Sequence, residues 1–173
     1  MYSNRQLKKP DAKIICRFPQ SQEELFYMFP RACYPLNSEQ LIAVAEERKC
    51  PTVVTLEKTI VGYGNFIHAE LGDHCTIGNL IVNPVYRRKG VATYLVKNLV
   101  EIAFTEFKAK YIKISCFNHN TAGLLLYKKL GFSTVDLEQR QSHEGKVIAV
   151  IHLHLKTKKR TNDSDRYKTC LSG

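Results

Sequence analysis

Between residues 74 and 107 the hydrophobic period changes once, across a short basic turn, and few folds accommodate that pattern. His74 to Val82 alternates as a strand and stops at Pro84, since proline cannot donate to a ladder. From about Gly90 to Phe107 the apolar residues Val91, Leu95, Leu99, Ile102 and Ala103 recur at the spacing of an amphipathic helix. Between the two lies Arg87-Arg88-Lys89-Gly90-Val91-Ala92. A helix start presents unpaired N–H groups and the positive end of a dipole, so it can hold a phosphate. Gly90 and Ala92 let such a group approach the backbone, and Arg87, Arg88 and Lys89 add positive charge. The turn has neither the Gly-Lys-Ser/Thr order of a Walker loop nor a GxGxxG pattern. Taken alone, it also reads as a solvated basic surface.

The rest of the chain supplies alternating elements. Ala12 to Phe18 reads as a short strand. Ser21, with Glu24 three residues later, forms a capping box before Leu25, Phe26 and Phe29, and Pro30 and Pro35 end that helix. A second helix starts near Asn37 or Ser38 and ends before Pro51. Thr52 to Leu56 and Ile60 to His68 read as a hairpin around Glu57-Lys58-Thr59, and Gly72-Asp73 makes the next turn. Tyr111 to Phe117 is a strand, and Thr121 to Leu130 a helix stopped by Gly131. Ser133 to Glu138 and Lys146 to Lys156 are the last strands, with His152 and His154 on one face of the second. This order predicts an α/β sandwich with a mixed sheet. Residues 1–11 read as an N-terminal extension, 12–156 as the domain, and 157–173 as a basic, mobile tail.

Composition narrows the class. A length of 173 residues suits one domain. No apolar run is long enough to span a bilayer, and Met1 to Lys9 is too polar for a secretory signal, so a cytoplasmic protein is expected. The six cysteines include no CxxC and match no zinc spacing; free thiols and no metal are expected. The net charge is +10, of which the segment from Lys156 onward holds +4 (six basic residues against two acidic). The remaining excess attracts anions such as nucleic acid, acidic membrane or a phosphorylated cofactor.

The segment Asn79-Leu80-Ile81-Val82-Asn83-Pro84, followed by Tyr86 and Arg87-x-x-Gly90-x-Ala92, resembles motif A of the GCN5-related N-acetyltransferases (GNAT). Asn120-Thr121-Ala122-Gly123-Leu124-Leu125-Leu126-Tyr127, continuing to Phe132, resembles motif B. The element order resembles that family's fold from about residue 12 to 156. The resemblance implies a mostly antiparallel sheet of about six or seven strands flanked by about four helices. It implies acetyl-CoA as cosubstrate and an amine acceptor on a protein, peptide or small molecule. The pyrophosphate would meet the backbone of Arg88, Lys89, Gly90, Val91, Ala92 and Thr93, beside Arg87. The pantetheine arm would pair with Leu80, Ile81 and Val82, near Asn120. An N–H near Ile81 or Val82 would serve the oxyanion, and the acceptor would lie between the N-terminal helices and the turn at 139–146.

Acetyl transfer needs a neutral amine, a donor to the oxyanion and a leaving thiolate that can be hydrogen-bonded. By resemblance Tyr127 is the acid near the cofactor sulfur; the residue-level alternative is an aromatic packing helix on sheet. Many relatives carry a glutamate where this chain has His74, beside Asp73. A histidine can take a proton at neutral pH, so His74 is the candidate base, with a surface histidine or a water relay as alternatives. Neutralising a lysine at pH 7 costs roughly 4–5 kcal/mol and an α-amine about 1 kcal/mol, so a weak base fits an α-amine or another low-pKa amine slightly better. A non-catalytic acetyl-CoA sensor is the second reading. A nucleic-acid binder is third, since the aromatic strand pattern of RNA binders is missing. No membrane partner is expected, and the protein is read as a monomer or homodimer.

Overall fold

The strand-to-helix switch is realised as β4 (His74–Val82), a 3₁₀ turn at Pro84–Tyr86, and α4 (Val91–Thr105). The computed structural model describes residues 1–157; the C-terminal tail read from sequence lies almost wholly outside the described residues. Around the switch stand β1 (Tyr2–Gln6), α1 (Ala12–Ile15), α2 (Gln22–Met28), α3 (Ser38–Glu46), β2 (Lys49–Leu56) and β3 (Thr59–Ala69). After it come β5 (Tyr111–Phe117), α5 (Thr121–Lys129), β6 (Ser133–Gln141) and β7 (Val147–Lys156). The seven strands form one sheet in the order β1-β2-β3-β4-β5-β7-β6. Among the described residues only β4 and β5 run parallel. This is the mixed, mostly antiparallel α/β sheet expected, with five α-helices where about four were anticipated.

One element reads differently. The strand expected at Ala12 to Phe18 is the short helix α1 and its exit. Ala12, Ile15 and Phe18 are the buried residues there, and Ile14 is exposed. Burial every third residue is a helical pattern, and Asp11 secures the helix start by accepting from the Lys8 N–H and from Arg5. The missing strand is β1, within the stretch read as an extension. It pairs with β2 from Tyr2 opposite Leu56 to Gln6 opposite Thr52.

Two cores cover the two faces of the sheet. On one, Val91, Leu95, Leu99 and Ala103 of α4 and Tyr127 of α5 pack on Val54, Phe66, Ile77, Ile112 and Ile114. Burying each large aliphatic side chain contributes roughly 1.5–3 kcal/mol. On the other, Leu25, Met28 and Leu41 of α2 and α3, with Ile15, pack on Val53, Ile60 and Tyr63. On the β5–β7 half of that face a smaller cluster of Phe117, Ile148 and Val150 packs against Phe26 and Tyr27 of α2, and the polar Ser115 and His152 lie beside it.

Candidate active site

The site begins where β4 and β5 part. They pair from His74 opposite Tyr111 to Ile77 opposite Ile114, and no pair follows. Beyond that point β5 continues against β7, with Cys116 opposite Ile151 and Phe117 opposite Val150. The β5-facing edge of Gly78–Val82 therefore has no strand partner, a slot into which an extended, amide-bearing arm fits. A bulge at the same level widens it: Tyr63 lies opposite Ile81 but Asn65 opposite Gly78, one residue more on β4 than on β3. Asn79 takes the strained position with φ 51°, which asparagine tolerates better than most residues. Its Nδ2 donates to the Met28 carbonyl at 2.9 Å, and Arg48 Nε donates to its Oδ1 at 3.4 Å. Leu80, Ile81 and Val82 thus line the slot, tied to the end of α2.

The slot leads to the basic turn. Gly90 caps α4 with φ 87°, and a Cβ built there would meet no atom within 4 Å. The space beside Gly90 is therefore open, as close approach of a phosphate to that backbone requires, while Val91 is buried and Ala92 and Thr93 are half-buried. Arg88 and Lys89 are exposed beside it. Arg87, expected to add positive charge beside the turn, is engaged with α2. Its guanidinium donates to both carboxylate oxygens of Glu24, at 2.7 and 2.8 Å. That bidentate pair holds the Glu24 carboxyl below its usual range and anchors α2 to the turn. Tyr2 clamps the turn from the far edge, donating from its hydroxyl to the Lys89 carbonyl at 2.7 Å.

Tyr127 lies on α5, buried next to Cys116. Burial pushes its phenol well above the ordinary value, with a smaller effect from Cys116. A phenol so placed is a hydrogen-bond donor and a poor proton donor. The Cys116 thiol is itself pushed up to about 12 by burial, so it stays protonated and unreactive. Asn120 caps α5, its Oδ1 accepting from Gly123 N–H at 3.0 Å. A Cβ on Gly123 would sit 2.9 Å from Asn120 Nδ2, so a larger residue there would push the Asn120 side chain aside.

His74 stands apart from these groups. It lies at the paired end of β4, about 13 Å of strand from Gly78 at roughly 3.3 Å per residue. Its Nδ1 bonds Asp73 at 2.6 Å. Its ring stacks on His68 at 4.5 Å and on Tyr111 at 5.2 Å, and Tyr111 in turn meets His154 in a tilted contact at 4.7 Å. The structure brings Tyr127, Asn120, the slot and the turn together, and it does not bring His74 to them. Ligand atoms of His68, Asp73 and His74 lie within 4.8 Å of one another, an arrangement that the stacking and the Asp73 bond account for without an ion.

Three groups escape sequence reasoning. Glu24 reads only as a capping residue, and Tyr2 falls in the stretch read as an extension. The third lies across β5 and β7, beside the Phe117–Val150 cluster, where the Ser115 hydroxyl bonds His152 Nδ1 at 2.9 Å. The expected walls of an acceptor cleft do meet. Phe26 of α2 lies 4.6 Å from the Phe117 ring and 5.5 Å from His143 in the β6–β7 turn.

The chain matches the acetyltransferase (GNAT) family over residues 15–132. It belongs to that family. Among curated relatives it is 29% identical over 82 residues to the mouse cysteine-rich protein 2-binding protein, covering 47% of this chain and 10% of that protein. This chain thus spans about a tenth of the length of that relative. The GNAT chain is also 27% identical over 142 residues to the N-alpha-acetyltransferase daf-31 of Caenorhabditis elegans, covering 78% of this chain and 69% of the relative. In fold it is similar to yncA of Salmonella typhimurium, whose structure was solved with its cofactor acetyl-CoA, at TM-score 0.70 and 16% identity, over 92% and 96% of the two chains. Among the described residues no helix is long and apolar enough to cross a membrane.

Proposed function

We propose that this GNAT protein transfers the acetyl group of acetyl-CoA to a primary amine, and that the amine is the α-amine of a peptide or protein N-terminus. The observation that carries the first part is the parting of β4 from β5 after Ile77 and Ile114, directed at the Gly90 start of α4. Backbone N–H groups from Arg88 to Thr93 hold the phosphates. Leu80, Ile81 and Val82 pair with the pantetheine arm, and Asn120 borders it. Acetyl-CoA supplies the activated acyl carbon. Tyr127 donates a hydrogen bond to the sulfur as charge develops on it. The acetyl-CoA held by the Salmonella protein of similar fold supports this use of the slot.

Two considerations support the α-amine. The relative from Caenorhabditis elegans is named an N-alpha-acetyltransferase. No acidic side chain lines the slot on β4, and a weak base suits an amine that costs only about 1 kcal/mol to neutralise at pH 7. The walls from α2 and the β6–β7 turn are aromatic, as a short peptide contact surface requires.

Calorimetry with acetyl-CoA, followed by thiol release with a panel of peptide N-termini, lysine peptides and polyamines, tests the proposal. Binding with turnover on peptide α-amines is the expected result. Binding without turnover on any amine would convert the reading to an acetyl-CoA sensor. Absence of binding would sink both.

A further inference from the structure

Ser115 is the first residue of β5 beyond the last pair with β4, level with Gly78 at the mouth of the slot. Cys116, the next residue, faces α5 and Tyr127, so the exposed Ser115 faces the opposite side, toward the acceptor walls. Directly across β5 and β7, Ser115 is registered with His152. Its hydroxyl lies 2.9 Å from His152 Nδ1, and His152 Nε2 lies 3.1 Å from Glu138 Oε2 on β6. Arg140 holds Glu138 with bonds of 2.8 and 3.3 Å. An ionised carboxylate can only accept, so Nε2 carries the hydrogen and Nδ1 is free to accept the Ser115 O–H. Three strands thus align a hydroxyl, an imidazole and a carboxylate beside the mouth of the slot.

We propose that Ser115, backed by His152 and Glu138, is the proton relay that deprotonates the acceptor amine. This rests on the acetyl-transfer reading above. The acceptor ammonium gives one proton to Ser115 Oγ while the Ser115 proton moves to His152 Nδ1. Glu138 stabilises the imidazolium so formed. The freed nitrogen lone pair bonds to the acetyl carbon, and the carbon–sulfur electron pair leaves with sulfur. A second nitrogen proton goes to that thiolate, the third stays in the amide, and His152 returns its proton to solvent. Ser115 touches the substrate; His152 and Glu138 act through it. The other charged and titratable groups around the imidazole are Lys113 on β5, Asp136 and Arg140 on β6, and His154 on β7.

The test is the pH profile of kcat/KM for the full chain with its best peptide amine, beside acetyl-CoA affinity by calorimetry. H152Q should lower kcat about 10²-fold and abolish the acidic limb while leaving affinity unchanged. S115A, at an exposed position, should do the same without disturbing packing, and S115T should restore most of the rate. E138Q should give a smaller loss in kcat than H152Q, since the imidazole keeps its place but loses its carboxylate. An H152Q or S115A protein with a wild-type profile and kcat within about 3-fold would overturn the relay and leave acetyl transfer standing. A wild-type protein that binds no acetyl-CoA would instead overturn the transfer reading and the relay with it.

Discussion

The two ends of the β4–β5 pair are four residues apart and could hardly differ more. At the paired end, His74 and Tyr111 lie opposite each other and stack, with His68 stacked on His74 and His154 tilted against Tyr111. At the parted end there is no ladder, a bulge turns Asn79 aside, and Tyr127 and Ser115 lie on opposite sides of β5. The paired end concentrates titratable groups, yet its backbone is closed. The parted end has fewer of them, but only there does the backbone offer unpaired groups to a ligand. On a parallel strand pair, access is therefore set by where the ladder stops.

Four measurements bear on that contrast. Tyr127→Phe should cost the most, lowering turnover about 10²-fold with acetyl-CoA affinity nearly unchanged. An equal loss in both would reduce Tyr127 to a packing residue. Gly90→Val should weaken acetyl-CoA binding about tenfold, because a side chain at φ 87° costs about 1–2 kcal/mol and enters the phosphate space; calorimetry reads it directly. Glu24→Gln should lower stability by about 1 kcal/mol at neutral pH, seen as a shift in Tm. Glu24 has a depressed folded-state pKa, so its contribution is present above the ordinary carboxyl range and disappears as pH falls through the lowered value. Wild type and variant should therefore converge in acid. His74→Ala should have the smallest effect, changing kcat less than about 3-fold. A fall as large as that of Tyr127→Phe would return the base role to His74 and erase the distinction between the ends.

The parted end is partly legible in the sequence. Period and breakers mark β4, α4, β5 and α5 to within a residue or two, because each has one buried face, and Pro84, Gly90 and Gly131 mark the end of β4, the start of α4 and the end of α5. Tyr127 and Asn120 can be placed because both belong to a run with a recognisable pattern. Arg87 cannot be paired with Glu24 from sequence, since the two are 63 residues apart and their meeting depends on how α2 crosses the sheet. Ser115 and His152 are hidden for a similar reason: register between β5 and β7 is a tertiary fact, and alternating polar residues on a strand are ordinarily solvated. The helix α1 reads as a strand because Ala12, Ile15 and Phe18 offer only two helical intervals, too few for periodicity to outweigh the neighbouring isoleucines.

Asn79 bears on redesign. Its side-chain amide joins the Met28 carbonyl and Arg48 to the bulge that widens the slot. Segments swapped in from other family members to change acceptor preference would cut those two bonds unless they present the same carbonyl and guanidinium. A chimera that altered only the acceptor loops would then lose acetyl-CoA affinity as well. On the proposed function, acceptor choice and cofactor capture would then be one module, and a graft should move α2, the α3–β2 corner and β4 as a unit.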